Sequence, residues 1–269
     1  MTPVEDQSWR HLRVTRAGPV AQVRLAREAA RNALDTELME ELTETARGLR
    51  LRHDVQAVIL TGTDRFFSAG ADLGGVRERA SKPTLLEARR AASLGPDLCR
   101  AWEEIEAVTI AAVEGYCIGG GCALVLACDF RIMGEGAYMR LPEVPLGMNM
   151  SWRTLPRLVS LAGPSRAKQF TMFGEAWDAR RCLEAGMADE VAASGAALAA
   201  AETWAAKVAA LPPLPVRMTK EAVNAIAGAN AYASIHMDRD QFLLATRTQD
   251  HREGVQAFFE KRPGAFKGD

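Results

Sequence analysis

Three consecutive glycines, Gly119-Gly120-Gly121, stand between an apolar run, Val108 to Val113, and an apolar stretch that ends near Cys128. That order demands a buried strand, a tight turn and a buried helix, and it commits this part of the chain to a mixed α/β arrangement. Without Cβ atoms the turn backbone can come close to a ligand, and the first N–H groups of the helix have no intrahelical partner. They point along the helix axis, where the helix dipole adds positive potential. A phosphate or a developing oxyanion fits such a cradle. Tight helix–strand packing is the alternative use of the same glycines.

The pattern around this turn extends over the first half of the chain. Val20 to Leu25 alternates like a strand, and Val55 to Leu60 is a compact apolar run closed by Thr61-Gly62. Phe130 to Met133 and a segment around Tyr138 read as further strands, separated by Gly134-Glu135-Gly136. Thr36 to Leu51 and Leu85 to Ile105 have helical spacing, with Thr36 as the expected N-cap of the first and Asp35 as the alternative. From about Ser151 strand-like runs nearly vanish. Helical patterns cover Leu155 to Phe173, interrupted at Gly163-Pro164, then Ala196 to Leu211, Val216 to Ala227 and Ala231 to Thr246, with Pro212, Pro213 and Pro215 as a stop signal. No internal repeat or flexible linker is visible in the residues.

Composition removes several function classes. With 269 residues, a net charge of -1, 48% hydrophobic and 25% charged residues, the chain is an ordinary globular protein of one large domain, with or without a small helical appendage. The charge gives no case for nucleic acid or an anionic membrane as partner, although a few placed arginines suffice for an anionic small molecule. The segment Met1 to Arg10 has no apolar core behind basic residues, and no apolar run approaches the length of a membrane span, so a cytoplasmic location is expected. The five cysteines and four histidines lack metal-ligand spacing, so buried free thiols and no metal are expected. The glycines lack the G-x-G-x-x-G spacing of a dinucleotide site, and Ser68 is not in the G-x-S-x-G context of a hydrolase nucleophile.

A second glycine-rich segment, Phe67-Ser68-Ala69-Gly70-Ala71-Asp72-Leu73, follows the Val55 to Leu60 run. It resembles a signature of the enoyl-CoA hydratase/isomerase, or crotonase, family. Gly115 to Leu124 resembles that family's second signature, continued by Cys128-Asp129-Phe130-Arg131. Arg31-Asn32-Ala33-Leu34, Leu141-Pro142-Glu143-Val144-Pro145-Leu146-Gly147 and Glu253 to Arg262 are similar to three more of its motifs, all in family order.

The resemblance implies a crotonase-like spiral of repeated ββα units with a C-terminal helical oligomerisation region, the core spanning 1–200 and the helical region 201–269. It implies a CoA thioester as substrate, no separate cofactor, and a homo-trimer or dimer of trimers. The backbone N–H groups of Ala71 and Gly120 would polarise the thioester carbonyl, and Glu143 would be the catalytic acid/base. Ala69, Gly70, Asp72, Leu73 and Gly74 would line the CoA path, with Arg31 near the CoA phosphates.

Hydratases of this family usually carry two glutamates, and the first of their positions is Ala123 here. Adding water benefits from two carboxylates, whereas moving a double bond needs one that takes a proton from C2 and returns it at C4. Isomerisation is therefore favoured over efficient hydration. Another reaction on an acyl-CoA (hydrolysis, carbon–carbon cleavage or decarboxylation) and a non-catalytic CoA-binding subunit are the alternatives. Ser151 stands where a dienoyl-CoA isomerase would add an acid, and Trp152 either reshapes the acyl site or fills the core. Glu114 is a weak candidate for a second acid. Asp72 is expected to shape a turn, and Asp129 to be a helix-end or network carboxylate.

Overall fold

The computed structural model describes residues 3–72 and 83–269. In chain order, β1 (Leu12–Ala17) and β2 (Val20–Leu25) form an antiparallel hairpin, followed by α1 (Thr36–Arg50), β3 (Ala57–Thr61) and β4 (Phe66–Ser68). Next come α2 (Leu85–Ala91), α3 (Leu94–Glu103), β5 (Val108–Val113), β6 (Tyr116–Ile118) and α4 (Gly120–Leu126). Then follow β7 (Phe130–Gly134), β8 (Tyr138–Arg140), α5 (Thr154–Phe173), β9 (Trp177–Asp178), α6 (Ala179–Glu184) and β10 (Glu190–Ala192). The chain closes with α7 (Ala197–Ala209), α8 (Pro213–Ala227), α9 (Tyr232–Ala245) and α10 (Gln249–Glu260).

The strands form two sheets, one ordered β1-β2-β3-β5-β7-β10 and the other β4-β6-β8-β9. Three times in succession a strand of the first sheet leads to a strand of the second and then to helix: β3–β4, β5–β6 and β7–β8, with both sets of three parallel among themselves. This is the spiral of ββα units, a repeat of topology that leaves no trace as a repeat of residues. Every residue of β3 and β5 is buried, as expected of parallel strands covered on both faces. The helix α7 packs on β3, β5 and β7 from one side. On the other side α1 contributes Leu38, Leu42, Ala46 and Leu49 to the main core, each of the three leucines worth about 1.5–3 kcal/mol of burial.

Several boundaries differ from the expectation for physical reasons. Asp35, not Thr36, caps α1, its carboxylate accepting the Leu38 N–H at 2.9 Å. The Leu85 to Ile105 stretch is two helices, because the chain breaks at Ala92-Ser93. Pro213 and Pro215 lie in the first turn of α8, where a missing N–H leaves no bond unmade, so the prolines start a helix as well as ending one. Gly163, at φ 77°, kinks α5 where the break was expected.

Among the described residues no helix is long and apolar enough to cross a membrane. The helix α10 docks on a short 3-10 turn, Val144–Leu146. His251 Nδ1 lies 2.9 Å from the Leu146 carbonyl oxygen, and a Cβ on Gly254 would stand 2.7 Å from the Leu146 carbonyl carbon. The contact depends on that glycine.

Candidate functional site

Because β4 and β6 are parallel neighbours, the two glycine-rich turns leave the same end of the smaller sheet. They touch backbone to backbone: a Cβ on Gly70, whose φ is 88°, would lie 2.7 Å from the Ile118 carbonyl oxygen. On the first turn, Leu34 donates its N–H to the Gly70 carbonyl at 2.8 Å and Asp72 donates to the Leu34 carbonyl at 3.0 Å. This one-residue parallel bridge is centred on Ala71 yet does not use its N–H, and Ala71 is exposed. On the second turn, Gly119 donates to the Arg140 carbonyl at 2.8 Å, and Gly120 opens α4. A first-turn residue has no carbonyl one turn back within the helix. Among the described residues neither the Ala71 nor the Gly120 N–H finds an acceptor.

The stretch from Arg27 to Asp35 fastens the first turn. Asn32, fully buried at φ 51°, accepts the Arg27 N–H on Oδ1 at 3.0 Å and donates from Nδ2 to the Phe67 carbonyl at 3.0 Å. Asn tolerates this left-handed backbone better than most residues. The Arg27 guanidinium pairs with Asp35 at 3.0 Å and Asp72 at 2.8 Å. Ala69 donates to the carbonyl of Arg31, whose side chain is exposed. Ser68 donates its hydroxyl to the Asn32 carbonyl at 2.7 Å and accepts the Gly70 N–H at 3.1 Å, a structural role. Arg31, Ala69, Gly70, Ala71 and Asp72 are thus gathered at one place. Leu73 and Gly74 lie outside the described residues.

Glu143 approaches from the other side. It precedes the 3-10 turn Val144–Leu146 and its carbonyl accepts the N–H groups of Leu146 and Met148, at 3.0 and 2.9 Å. Its carboxylate reaches the glycine turn, with Oε1 only 2.8 Å from where a Cβ on Gly119 would be. The residue is half-buried, but Oε2 is sealed from solvent and no hydrogen bond reaches it. Desolvation is the main influence and pushes the carboxyl up to about 7, partly countered by a backbone hydrogen bond and by Arg140. Such a group exchanges a proton in either direction near neutral pH. Ala123, one turn along α4 from Gly120, is completely buried.

Trp152 takes the space beside Gly120. A Cβ on Gly120 would stand 2.6 and 2.7 Å from the indole Cη2 and Cζ3, and a Cβ on Gly95 in α3 would overlap the indole Cδ2 and Cε2. Trp152 and Arg153 are adjacent non-glycine residues in the left-handed region, at φ 61° and 58°. That backbone is unfavourable by about 1–2 kcal/mol per residue and needs outside support. Asp238 of α9 supplies it by accepting the Arg153 N–H at 2.9 Å. Burial raises the Asp238 carboxyl, although bonds from Arg153 and the Ser151 side chain act against that rise. Arg157 donates to the Arg153 carbonyl at 3.0 Å and pairs with Glu103 of α3 at 2.6 Å. Sequence reasoning missed Gly95, Glu103, Arg157 and Asp238. The one available signal was Gly95, an isolated glycine in a helical pattern, which marks a close approach.

The remaining candidates resolve simply. Glu114 accepts the Ala197 N–H at 2.9 Å and so caps the start of α7, away from the glycine turn. Asp129 accepts the Thr109 N–H at 2.7 Å and the Lys220 ammonium at 2.6 Å, a structural network as expected. The five cysteines are free and buried, and burial pushes Cys99, Cys128 and Cys182 up to about 12, which disfavours the thiolate form in those three. Among the described residues no cluster of His, Cys, Asp or Glu side chains is arranged to hold a metal ion.

The enoyl-CoA hydratase/isomerase family model matches residues 15–269, a span that includes both glycine turns and Glu143. The chain belongs to this family. It is 34% identical to the 2,3-dehydroadipyl-CoA hydratase of Escherichia coli K12, covering 95% of this chain and 98% of that one. It is 32% identical to the crotonyl-CoA hydratase of Syntrophomonas wolfei, covering 92% and 94%. A solved enoyl-CoA hydratase from Mycobacterium avium subsp. paratuberculosis K-10 shares the crotonase fold at a TM-score of 0.85 over 97% of this chain and 100% of that chain, with 22% identity. As a family member the chain is an acyl-CoA enzyme of the enoyl-CoA hydratase/isomerase type.

Proposed function

We propose that the chain stabilises a thioester enolate with the N–H groups of Ala71 and Gly120 and moves protons with Glu143 alone, shifting a double bond more readily than it adds water. In this reading the ionised Glu143 takes a proton from C2 of a 3-enoyl-CoA. The electron pair passes into the thioester carbonyl, whose oxygen is held by the two N–H donors. The double bond then moves to C2–C3 as the same carboxyl returns the proton at C4. Each oxyanion donor contributes about 10² to 10³ in rate. Arg31, Ala69, Gly70, Asp72, Leu73 and Gly74 are proposed to hold the CoA portion, and Asp72 would act there through its pairing with Arg27.

The observation that carries the proposal is the Glu143 carboxyl itself, with Oε1 beside Gly119 and Oε2 sealed from solvent without a hydrogen bond, and a buried methyl group at Ala123 in place of a second acid. The names of the relatives favour a second reading, hydration of a 2-enoyl-CoA, in which Glu143 would activate water alone. Supplying 3-enoyl-CoA and 2-enoyl-CoA separately distinguishes the two. The first reading expects faster loss of the 3-enoyl thioester, and Glu143→Gln is expected to lower that rate by at least about 10³ while CoA binding persists. Unchanged turnover in Glu143→Gln would remove Glu143 from the chemistry.

We also propose that α8 to α10 join subunits into a trimer or a dimer of trimers. The support is their exposed apolar side chains, such as Leu214, Met218 and Ile226, which are 66%, 59% and 78% exposed in the single chain.

A further inference from the structure

Resting on the acyl-CoA reading above, we infer that Trp152 is the specificity-determining wall of the acyl site, closing it toward α3 and limiting the acyl group to a short chain. The indole stands against two glycines on two different helices. Its six-membered ring faces Gly120, where a Cβ would meet Cη2 at 2.6 Å and Cζ2 at 3.1 Å, while the ring junction faces Gly95. No residue larger than glycine at either position leaves room for the indole in this place. The ring therefore spans from α3 to the first residue of α4, the residue whose N–H is the proposed carbonyl donor.

An acyl group held by that N–H has the Glu143 carboxyl beside Gly119 and the indole beside Gly120. Residues at i and i+3 share a helix face, so the face that Gly120 and Ala123 present lies along this ring. Such a wall needs to be rigid, and the loop that carries it is fixed from three directions: Asp238 on the Arg153 N–H, Arg157 on the Arg153 carbonyl, and Glu103 on Arg157. A ring that merely filled the core would not require a left-handed pair of residues held by a partner 85 positions away in the chain.

The test measures calorimetric affinity for CoA and for saturated acyl-CoAs from acetyl to octanoyl, in the wild type, Trp152→Ala and Trp152→Phe. The wild type is expected to stop gaining affinity within the first few acyl carbons. In Trp152→Ala the gain should continue, by about three- to fourfold for each added methylene. Trp152→Phe should extend the series by fewer carbons, since the shorter ring keeps the Gly95 contact and leaves the Gly120 end. It also decides the matter if the alanine variant does not fold, as read by near-UV circular dichroism. Equal CoA affinity with parallel length profiles in wild type and variants would overturn the role of Trp152 alone. Failure of CoA itself to bind the wild type would overturn the acyl-CoA reading and this inference with it.

Discussion

The two segments that meet at Gly120 are held in opposite ways. The glycine turn is fixed by backbone: Gly119 donates to Arg140, Gly70 lies against Ile118, and the removal of side chains is what lets the two turns touch. The Ser151 to Arg153 segment is fixed by side chains from three helices, Glu103 of α3, Arg157 of α5 and Asp238 of α9, which hold a strained backbone in place. On the proposed reading the first segment supplies chemistry that any sequence with the same glycines would supply. The second supplies shape, and shape is where relatives with one fold can diverge.

The largest expected effect comes from breaking the contact between the two. Gly120→Ala forces a methyl group into the Trp152 ring and displaces the proposed donor, so turnover should fall by about 10² or more. Combining it with Trp152→Gly sharpens the comparison. If the ring is the obstacle, part of the loss is restored in the double variant. No restoration would mean that the Gly120 backbone itself is what matters.

Next in size is a pH effect on the Glu143 side. Its carboxyl sits at about 7 in the folded protein against an ordinary 4.5, so the unfolded chain ionises first as pH rises. Stability from this group is therefore complete below about 4.5 and declines as pH rises toward 7, by at most about 3 kcal/mol. Glu143→Gln removes that decline. Denaturant unfolding at pH 5 and pH 8 should show the variant gaining on the wild type by roughly 2–3 kcal/mol between the two. An equal difference at both pH values would show that the carboxyl is not desolvated.

The smallest effect addresses the support of the indole. Asp238→Ala removes the acceptor of the Arg153 N–H and should destabilise the fold by about 1–3 kcal/mol in denaturant unfolding. The acyl-length profile should lose its sharp cut-off while the affinity for CoA stays the same. A profile as sharp as that of the wild type would mean that Arg157 and Glu103 suffice to hold the loop.

Legibility in the sequence follows the same division. Backbone devices are local, so the glycine turns, Glu143 and the long buried strands β3 and β5 were readable from short stretches of residues. Strands of three residues such as β4 and β6 were hidden, because each lies inside a glycine-rich segment and pairs with a strand distant in the chain. Glu114 looked like a spare acid because nothing in its neighbourhood announces that the start of α7 will arrive beside it. The surroundings of Trp152 were out of reach for the same reason. Gly95, Arg157 and Asp238 come together only once α3, α5 and α9 have packed.

The docking of α10 on the Val144–Leu146 turn has a consequence for how the protein comes into being. The turn that carries Glu143 rests on His251 and Gly254, so its packing partner is synthesised about 105 residues after it. During vectorial synthesis the two sheets can form while the ribosome is still at work. The Glu143 turn must wait, unbraced, until α10 has been made. A nascent or prematurely terminated chain would therefore carry the sheets and the glycine turns without a settled Glu143.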